Sequence, residues 1–415
     1  MKYSAVKGVQ DVLPPDVYLW QRVEAVAEEV FGAFGFQEIR PPVMEFTDVF
    51  VRSIGETSDI VEKEMYTFDD KGGRSITLRP EGTAPIVRSY VQHHLYNRPS
   101  PQKFRYGGPM FRYERPQRGR LRQFYQLGAE AFGDAGPEID AEVISMVRHF
   151  FERLGLGSLS FELNSIGDSE CRPAYKDALK GFFAGKAESL CPDCVRRLEV
   201  NPLRILDCKV PGCIELRKGA PAVGDYLCGG CRDHFAELKG LLDLLGVPYA
   251  LNPSMVRGLD YYTRTTFEVT SQALGSQNAV AAGGRYDGLV EEFGGPGTPA
   301  IGFALGVERL VELLREKAPP APAPRVFIAS IGSEAVRRAQ VIADRLRAEG
   351  VWAETGSPAS SLRSQMKRAD KLGAEYVLFL GEDELGSGRA GWKRLADGAE
   401  GHVALSEVEG FFKGS

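Results

Sequence analysis

Apolar residues recur at helical spacing at Leu19, Val23, Val26, Val30 and Phe34, which predicts an amphipathic helix over 16–34. Gly35 follows as a C-terminal cap. Residues 36–39 read as a short strand that Pro41-Pro42 stops. A second helix is predicted over 81–93, because proline, here Pro80, is tolerated only near a helix start. Residues 103–113 and 123–132 read as antiparallel strands joined by a polar, Pro- and Gly-bearing loop. A loop of that length in a compact domain is usually functional. Helices are predicted at 139–154, 172–183 and 235–245, with an irregular Cys-rich stretch before the last. Strands at 265–270 and 279–282 lead into Gly283-Gly284-Arg285-Tyr286-Asp287-Gly288, read as a turn into a short helix. A buried strand at 300–305 then enters a helix at 307–317.

Residues 318–324 contain four prolines and form a semi-rigid linker, the clearest boundary in the chain. Beyond it, strand, helix, strand, helix and strand alternate over 326–331, 334–349, 351–354, 361–372 and 376–380. That order implies a small α/β domain with a largely parallel sheet. The whole is therefore α+β in its first part and α/β in its last. A length of 415 residues agrees with two or three cores.

Hydrophobic content of 43% and charged content of 26% are those of a soluble globular protein. No apolar run is long enough to predict a membrane span. The first residues lack the apolar stretch of a signal peptide, so a cytoplasmic location is the simplest expectation. A net charge of −5 argues against a protein that coats nucleic acid, although local basic surfaces remain open. Residues 325–415 hold thirteen Lys/Arg and thirteen Asp/Glu, so a nucleic-acid face there depends on charge placement. On the predicted helix at 361–372, Arg363, Lys367 and Lys371 form one basic stripe.

Charge placement is most informative in the first hairpin. From Lys103 to Arg122 seven basic residues accompany one acid. Strand alternation puts Arg112 and Glu114 on one face, where a guanidinium can fork onto phosphate while a carboxylate accepts from a base amine. Arg257-Gly258-Leu259-Asp260-Tyr261-Tyr262 adds a second cationic segment.

The string FRYERPQRGRLRQFYQLGAEAFG resembles motif 2 of class II aminoacyl-tRNA synthetases in its histidyl form. Residues 257–262 are similar to the signature of the histidine–tRNA ligases, 302–309 to motif 3, and 36–42 to motif 1, which builds a dimer interface in that family. Thr77-Leu78-Arg79-Pro80-Glu81-Gly82-Thr83 is similar to a segment that touches the amino acid. The match runs from Val6 to the end in the family's order. Two departures are visible: Tyr125 stands where the family usually has His, and Ala281-Ala282 replaces part of a glycine run.

The resemblance implies a class II synthetase antiparallel sheet flanked by helices, a helical insertion, and a C-terminal α/β anticodon-binding domain. It places the catalytic domain at 1–168 and 247–317, a Cys-rich insertion at 169–246, the linker at 318–324 and the anticodon-binding domain at 325–415. It implies a homodimer that joins L-histidine to tRNA(His) through a histidyl-adenylate, using ATP with Mg²⁺ on the distal phosphates. Arg112 and Arg257 are the expected catalytic residues and also touch histidine. Glu81 and Thr83 would hold the ammonium, Gly82 and Gln126 would lie beside the histidine, Glu130 and Tyr262 would bond the imidazole, and Tyr261 and Tyr286 would wall it. Arg112, Glu114, Arg120 and Arg309 would hold ATP. Arg115, Gln117 and Arg118, at the hairpin tip, would meet the tRNA acceptor end, and Arg363, Lys367 and Lys371 the anticodon.

A rival reading is a non-catalytic, histidine-binding regulatory paralogue. Such relatives lack the C-terminal domain and ATP-contacting arginines, whereas this chain keeps Arg112, Arg257, Arg309 and residues 325–415. Finally, Cys191-Pro192-Asp193-Cys194 and Cys228-Gly229-Gly230-Cys231 are CxxC pairs whose four thiolates can close one tetrahedral zinc site. Cys213 and His234 are alternative ligands, and burial of reduced thiols is the other reading.

Overall fold

The computed structural model describes residues 3–55, 58–116, 119–256, 259–275, 278–317 and 321–413. The chain divides into two compact units, Met1–Ala318 and Pro319–Ser415.

The first unit is built on an eight-stranded sheet. Its strands are β1 (Gln37–Glu38), β5 (Gln102–Phe111), β6 (Gln123–Phe132), β7 (Ser160–Ser165), β8 (Ala250–Leu251), β9 (Thr263–Thr270), β10 (Ala279–Arg285) and β11 (Ala300–Gly306). A separate three-stranded sheet contains β2 (Met44–Phe46), β3 (Tyr66–Asp69) and β4 (Ser75–Leu78). The large sheet has the order β1-β5-β6-β11-β10-β9-β7-β8. Its six inner strands are antiparallel, and the two-residue edge strands β1 and β8 pair in parallel.

The predicted hairpin forms with Gln102 opposite Phe132 and Phe111 opposite Gln123. The helix Asp16–Ala33 buries Leu19, Trp20, Val23, Ala27, Val30 and Phe31. It stops at Gly35, whose φ of +82° glycine adopts without a Cβ penalty. This helix joins Pro137–Arg153 and Val307–Leu314 in one core against the sheet.

Three expectations change. The segment after Ala282 turns later than expected: β10 continues through Gly283 and Gly284 to Arg285, and only Asp287-Gly288 turn into the short helix Leu289–Glu292. A Cβ on Gly283 would overlap the Gly302 carbonyl, and one on Gly284 the Thr265 carbonyl. These glycines therefore permit close strands, not a turn. The Cys-rich stretch is not irregular: it holds helices Pro192–Val200 and Pro211–Leu216 before Gly229–Leu244. The helix expected from Glu81 begins at Thr83, with Glu81 outside it as a side-chain cap.

The second unit holds β12 (Val326–Ser330), β13 (Ala353–Thr355), β14 (Tyr376–Leu380), β15 (Arg389–Arg394) and β16 (Glu400–Ala404), in the order β13-β12-β14-β15-β16. The first three pair in parallel, but β15 and β16 add an antiparallel hairpin, so the sheet is mixed. The polar sequence Arg-Ala-Gly-Trp-Lys-Arg concealed β15, which contributes only Ala390 to the fully buried residues.

Candidate active site

One face of the large sheet forms the floor of a cavity of about 290 Å³. Its walls come from the start of helix Thr83–Gln92, the hairpin β5–β6, the segment 259–262, and strands β10 and β11. Glu81, Thr83, Arg112, Glu114, Arg120, Gln126, Tyr261, Tyr262, Tyr286 and Arg309 all line it. Residues separated by more than two hundred positions thus share one enclosure.

Its two ends differ in chemistry. At one end, Arg112 donates from Nε to the Pro80 carbonyl at 2.8 Å, stacks 5.2 Å from the Phe124 ring centre and lies 4.0 Å from Glu114. Arg120 forms an ion pair with the buried Glu114. Arg309 donates to the carbonyls of Gly119 and Ala279. Burial lowers the Arg309 pKa, and repulsion from Arg120 and Arg112 lowers it further. Mutual repulsion means that three guanidinium groups concentrate positive field in a partly dry site, which favours a polyanion. Glu308 faces the same end; burial pushes its carboxyl up to about 7, although it accepts from the Tyr125 amide.

At the other end the lining is phenolic and carboxylic. Tyr261 packs against Tyr262 at 4.7 Å and against Tyr286 at 5.6 Å between ring centres. Burial raises the Tyr261 and Tyr286 pKa values, so both keep their protons and can donate. Glu81 accepts from the amides of Thr83 at 2.7 Å and Ala84 at 2.8 Å. Burial raises its pKa, while those amides and Arg112 oppose the rise. Gln126 Oε1 is buried with no hydrogen-bond partner among the described residues, an acceptor ready for a ligand donor.

Glu130, expected to bond the imidazole, is not among the residues that line the cavity. It is fully buried behind the cavity wall, accepting from Thr83 Oγ1 at 2.7 Å, Tyr286 Oη at 2.5 Å and Tyr106 Oη at 3.4 Å. The physical reason is local: three hydroxyl donors claim its oxygens, and Gly302 lacks the Cβ that would occupy the same space. Burial and the nearby Glu81 push its carboxyl up to about 8, against the pull of the hydroxyl donors.

Gly82 carries no side chain at the helix start, where a Cβ would overlap the Tyr106 ring. Tyr106, Phe124, Glu268 and Glu308 are site residues that sequence reasoning did not single out. Glu268 had a signal, as the one acid in the otherwise uncharged run Thr265–Thr270 of β9. Tyr106 had none, since alternation marks it only as core. Tyr125 points to the opposite face, edge-on to Trp20 at 4.9 Å, which explains why His is not required there.

Arg257, Gln117 and Arg118 lie outside the described residues. Arg115 is exposed. Arg363, Lys367 and Lys371 are exposed on helix Leu362–Lys371 of the second unit.

The four cysteines expected around one zinc ion do not meet. Cys191 and Cys194 gather with Cys208 and Cys213, whereas Cys228 and Cys231 gather with Cys171 and Asp168. The two CxxC turns open different helices, so each recruits nearby partners: Cys208 from a loop and Cys213 from helix Pro211–Leu216 in the first, Asp168 and Cys171 from a loop in the second. Cys213 does replace an expected ligand. His234 instead bonds Asp140 at 2.8 Å.

Comparison with known proteins assigns this arrangement. Residues 8–182 and 216–310 match the family described as histidyl-tRNA synthetase, and 325–414 match the anticodon binding domain. The chain belongs to the histidyl-tRNA synthetase family. A histidine–tRNA ligase of Thermodesulfovibrio yellowstonii is 52% identical over 98% of this chain and 97% of its own length. One from Trichlorobacter lovleyi is 53% identical over 98% and 96%. The crystal structure of apo S. aureus histidyl-tRNA synthetase superposes with a TM-score of 0.84 at 37% identity, covering 99% of this chain and all of that one. The catalytic core is therefore that of a class II synthetase, followed by the anticodon-binding domain of the histidyl-tRNA synthetase family. No helix among the described residues is long and apolar enough to cross a membrane.

Proposed function

We propose that this chain joins L-histidine to tRNA(His) in two steps, at the cavity described above. In the first, a histidine carboxylate oxygen bonds to the α-phosphorus of ATP; the bond to the β-phosphate bridge breaks and pyrophosphate leaves. In the second, a terminal-adenosine hydroxyl of the tRNA attacks the carbonyl carbon, and AMP leaves. Mg²⁺ enters as part of the ATP substrate, on its outer phosphates.

The observation that carries this reading is the shared enclosure of Arg112, Arg120 and Arg309 with Glu81, Gln126 and three tyrosines. Arg112 holds the α-phosphate, Glu114 and Arg120 the adenine end, and Arg309 the distal phosphates. Preorganised cations of this kind stabilise charge as it develops and need no reorganisation during reaction. Arg257 joins them at the α-phosphate. Glu81 and Thr83 hold the ammonium, with Gly82 and Gln126 beside the histidine. Tyr262 bonds the imidazole, and Tyr261 and Tyr286 wall it. Glu130 sets the Tyr286 and Thr83 hydroxyls, and it meets the ring directly only if one of them releases its oxygen.

Residues 1–168 and 247–317 form the catalytic part and 325–415 the anticodon reader. Arg115, Gln117 and Arg118 meet the acceptor end, and Arg363, Lys367 and Lys371 the anticodon. The protein works in the cytoplasm as a homodimer, a reading supported near the motif 1 segment by exposed Val43, Met44, Phe46 and Phe68. The regulatory-paralogue reading loses its basis, since the ATP-end arginines and the anticodon domain are both present.

ATP–pyrophosphate exchange with each of the twenty amino acids tests the reading. Exchange with histidine alone is expected; exchange with another amino acid, or none from folded protein, contradicts it.

A further inference from the structure

Two clusters in the insertion are unused by this chemistry. The Sγ atoms of Cys191, Cys194, Cys208 and Cys213 lie within 4.8 Å of one another, as do those of Cys171, Cys228 and Cys231 with an Asp168 oxygen. All seven cysteines are free. The Cys191–Cys208 and Cys171–Cys231 sulfur separations are each 3.9 Å, far beyond a disulfide bond of about 2.0 Å. Thiolates bound tetrahedrally at about 2.3 Å from zinc sit about 3.8 Å apart. Asp168 oxygens lie 3.0 Å from Cys231, 3.4 Å from Cys171 and 3.9 Å from Cys228. An oxygen–sulfur edge around zinc is about 3.6 Å, inside that range.

The surroundings suit anionic sulfur. The Cys191 amide donates to Cys213 Sγ at 3.3 Å, and the Asp168 amide to Cys171 Sγ at 3.3 Å. Four anionic ligands on a divalent ion leave a double negative charge. Arg264 lies 3.5 Å from Asp168, Arg172 adjoins Cys171, and Arg217 donates to the Cys208 carbonyl at 3.4 Å. Apolar burial accounts for single thiols. It does not account for four donors converging twice, one set including a carboxylate.

We propose that the insertion folds around two separate zinc(II) ions, one held by Cys191, Cys194, Cys208 and Cys213, the other by Asp168, Cys171, Cys228 and Cys231. Each has four protein ligands and is closed, so each is structural. On binding, every thiol releases its proton to solvent and donates a sulfur pair to the ion.

Both centres bear on the segment that carries Tyr261 and Tyr262. Just past the helix opened by Cys191, Asn201 and Arg204 donate to Asp260 at 3.0 Å each. Beside the second centre, Arg172 donates to the Tyr262 carbonyl at 2.5 Å, and the Arg264 amide to the Gly167 carbonyl at 2.8 Å. The ions hold this segment from two directions.

The test is metal counting on the full chain, purified without chelators, by plasma mass spectrometry. Two zinc ions per chain are expected, with one left in Cys213→Ser and one in Cys171→Ser. Cobalt(II) replacement should give the intense visible bands of tetrahedral sites in the parent, and each variant should lose a different part of them. Fewer than about 0.1 zinc per folded chain would overturn the proposal, as would iron in its place. So would a single ion lost alike from Cys191→Ser and Cys228→Ser. Should the variants fail to fold, zinc released from the parent by a mercurial thiol reagent still gives the count. None of these readings depends on catalytic activity.

Discussion

Replacing Glu130 by Gln isolates the protonation of the carboxyl behind the cavity wall. Burial raises Glu130 from its ordinary 4.5 to about 8. Between those values the folded chain keeps a proton that the unfolded chain has released. The stability this group contributes is therefore fully present below about pH 4.5 and is lost as pH rises through about 8. The slope is about 1.4 kcal/mol per pH unit, so about 2 kcal/mol disappears between about pH 6 and 8. Gln has the same shape and can serve both Thr83 and Tyr286, but it does not titrate. Urea unfolding should be followed in a background with Trp352→Phe and Trp392→Phe, which leaves Trp20, in the first unit, as the one tryptophan. The stability of Glu130→Gln relative to that background should rise by about 2 kcal/mol across this interval and level off above it. Removing the 2.5 Å bond in Tyr286→Phe should move the plateau to higher pH, because a donor to the carboxylate is lost. Parallel stability–pH curves for that background with and without Glu130→Gln would mean that this carboxyl does not hold its proton in the interval.

Arg309→Ala should lower histidine-dependent pyrophosphate exchange by about 10²–10³-fold while histidine binding, measured by calorimetry, is retained. Arg285 and Asp140 are both fully buried and 2.7 Å apart, so Arg285→Met should cost about 3–5 kcal/mol in denaturant unfolding by removing the cation from a buried carboxylate that then has His234 to bond. The triple change Arg363→Ala, Lys367→Ala, Lys371→Ala should leave pyrophosphate exchange intact and lower kcat/KM for tRNA by about tenfold, with a shallower salt dependence.

How far the sequence discloses this protein varies with the range of the interaction involved. The β5–β6 hairpin is legible because alternation and a charged tip are local features, and it forms over Gln102–Phe111 and Gln123–Phe132. The helix of residues 16–33 is legible for the same reason, with five or more apolar positions on one face. Sheet order is not, since the pairing of β6 with β11 joins segments separated by the whole insertion. Gly283 and Gly284 look like a turn because the chain alone does not reveal that Gly302 and Thr265 press against them. The cysteines mislead differently. Two CxxC pairs invite each other as partners, but Asp168, Cys171, Cys208 and Cys213 carry no spacing that announces which pair they complete. At the cavity, motif strings located Arg112, Glu114, Gln126 and Arg309, whereas the placement of Glu130 behind Thr83 and Tyr286 depends on packing between strands.

One cavity is expected to bind both halves of a histidyl-adenylate. A crystal structure of the full chain with a non-hydrolysable histidyl-adenylate analogue tests it most directly. The imidazole is expected among Tyr261, Tyr262 and Tyr286, with the phosphate substitute against Arg112 and the adenine beside Glu114. An analogue bound elsewhere, or one that seats its imidazole at the arginine end, would contradict it.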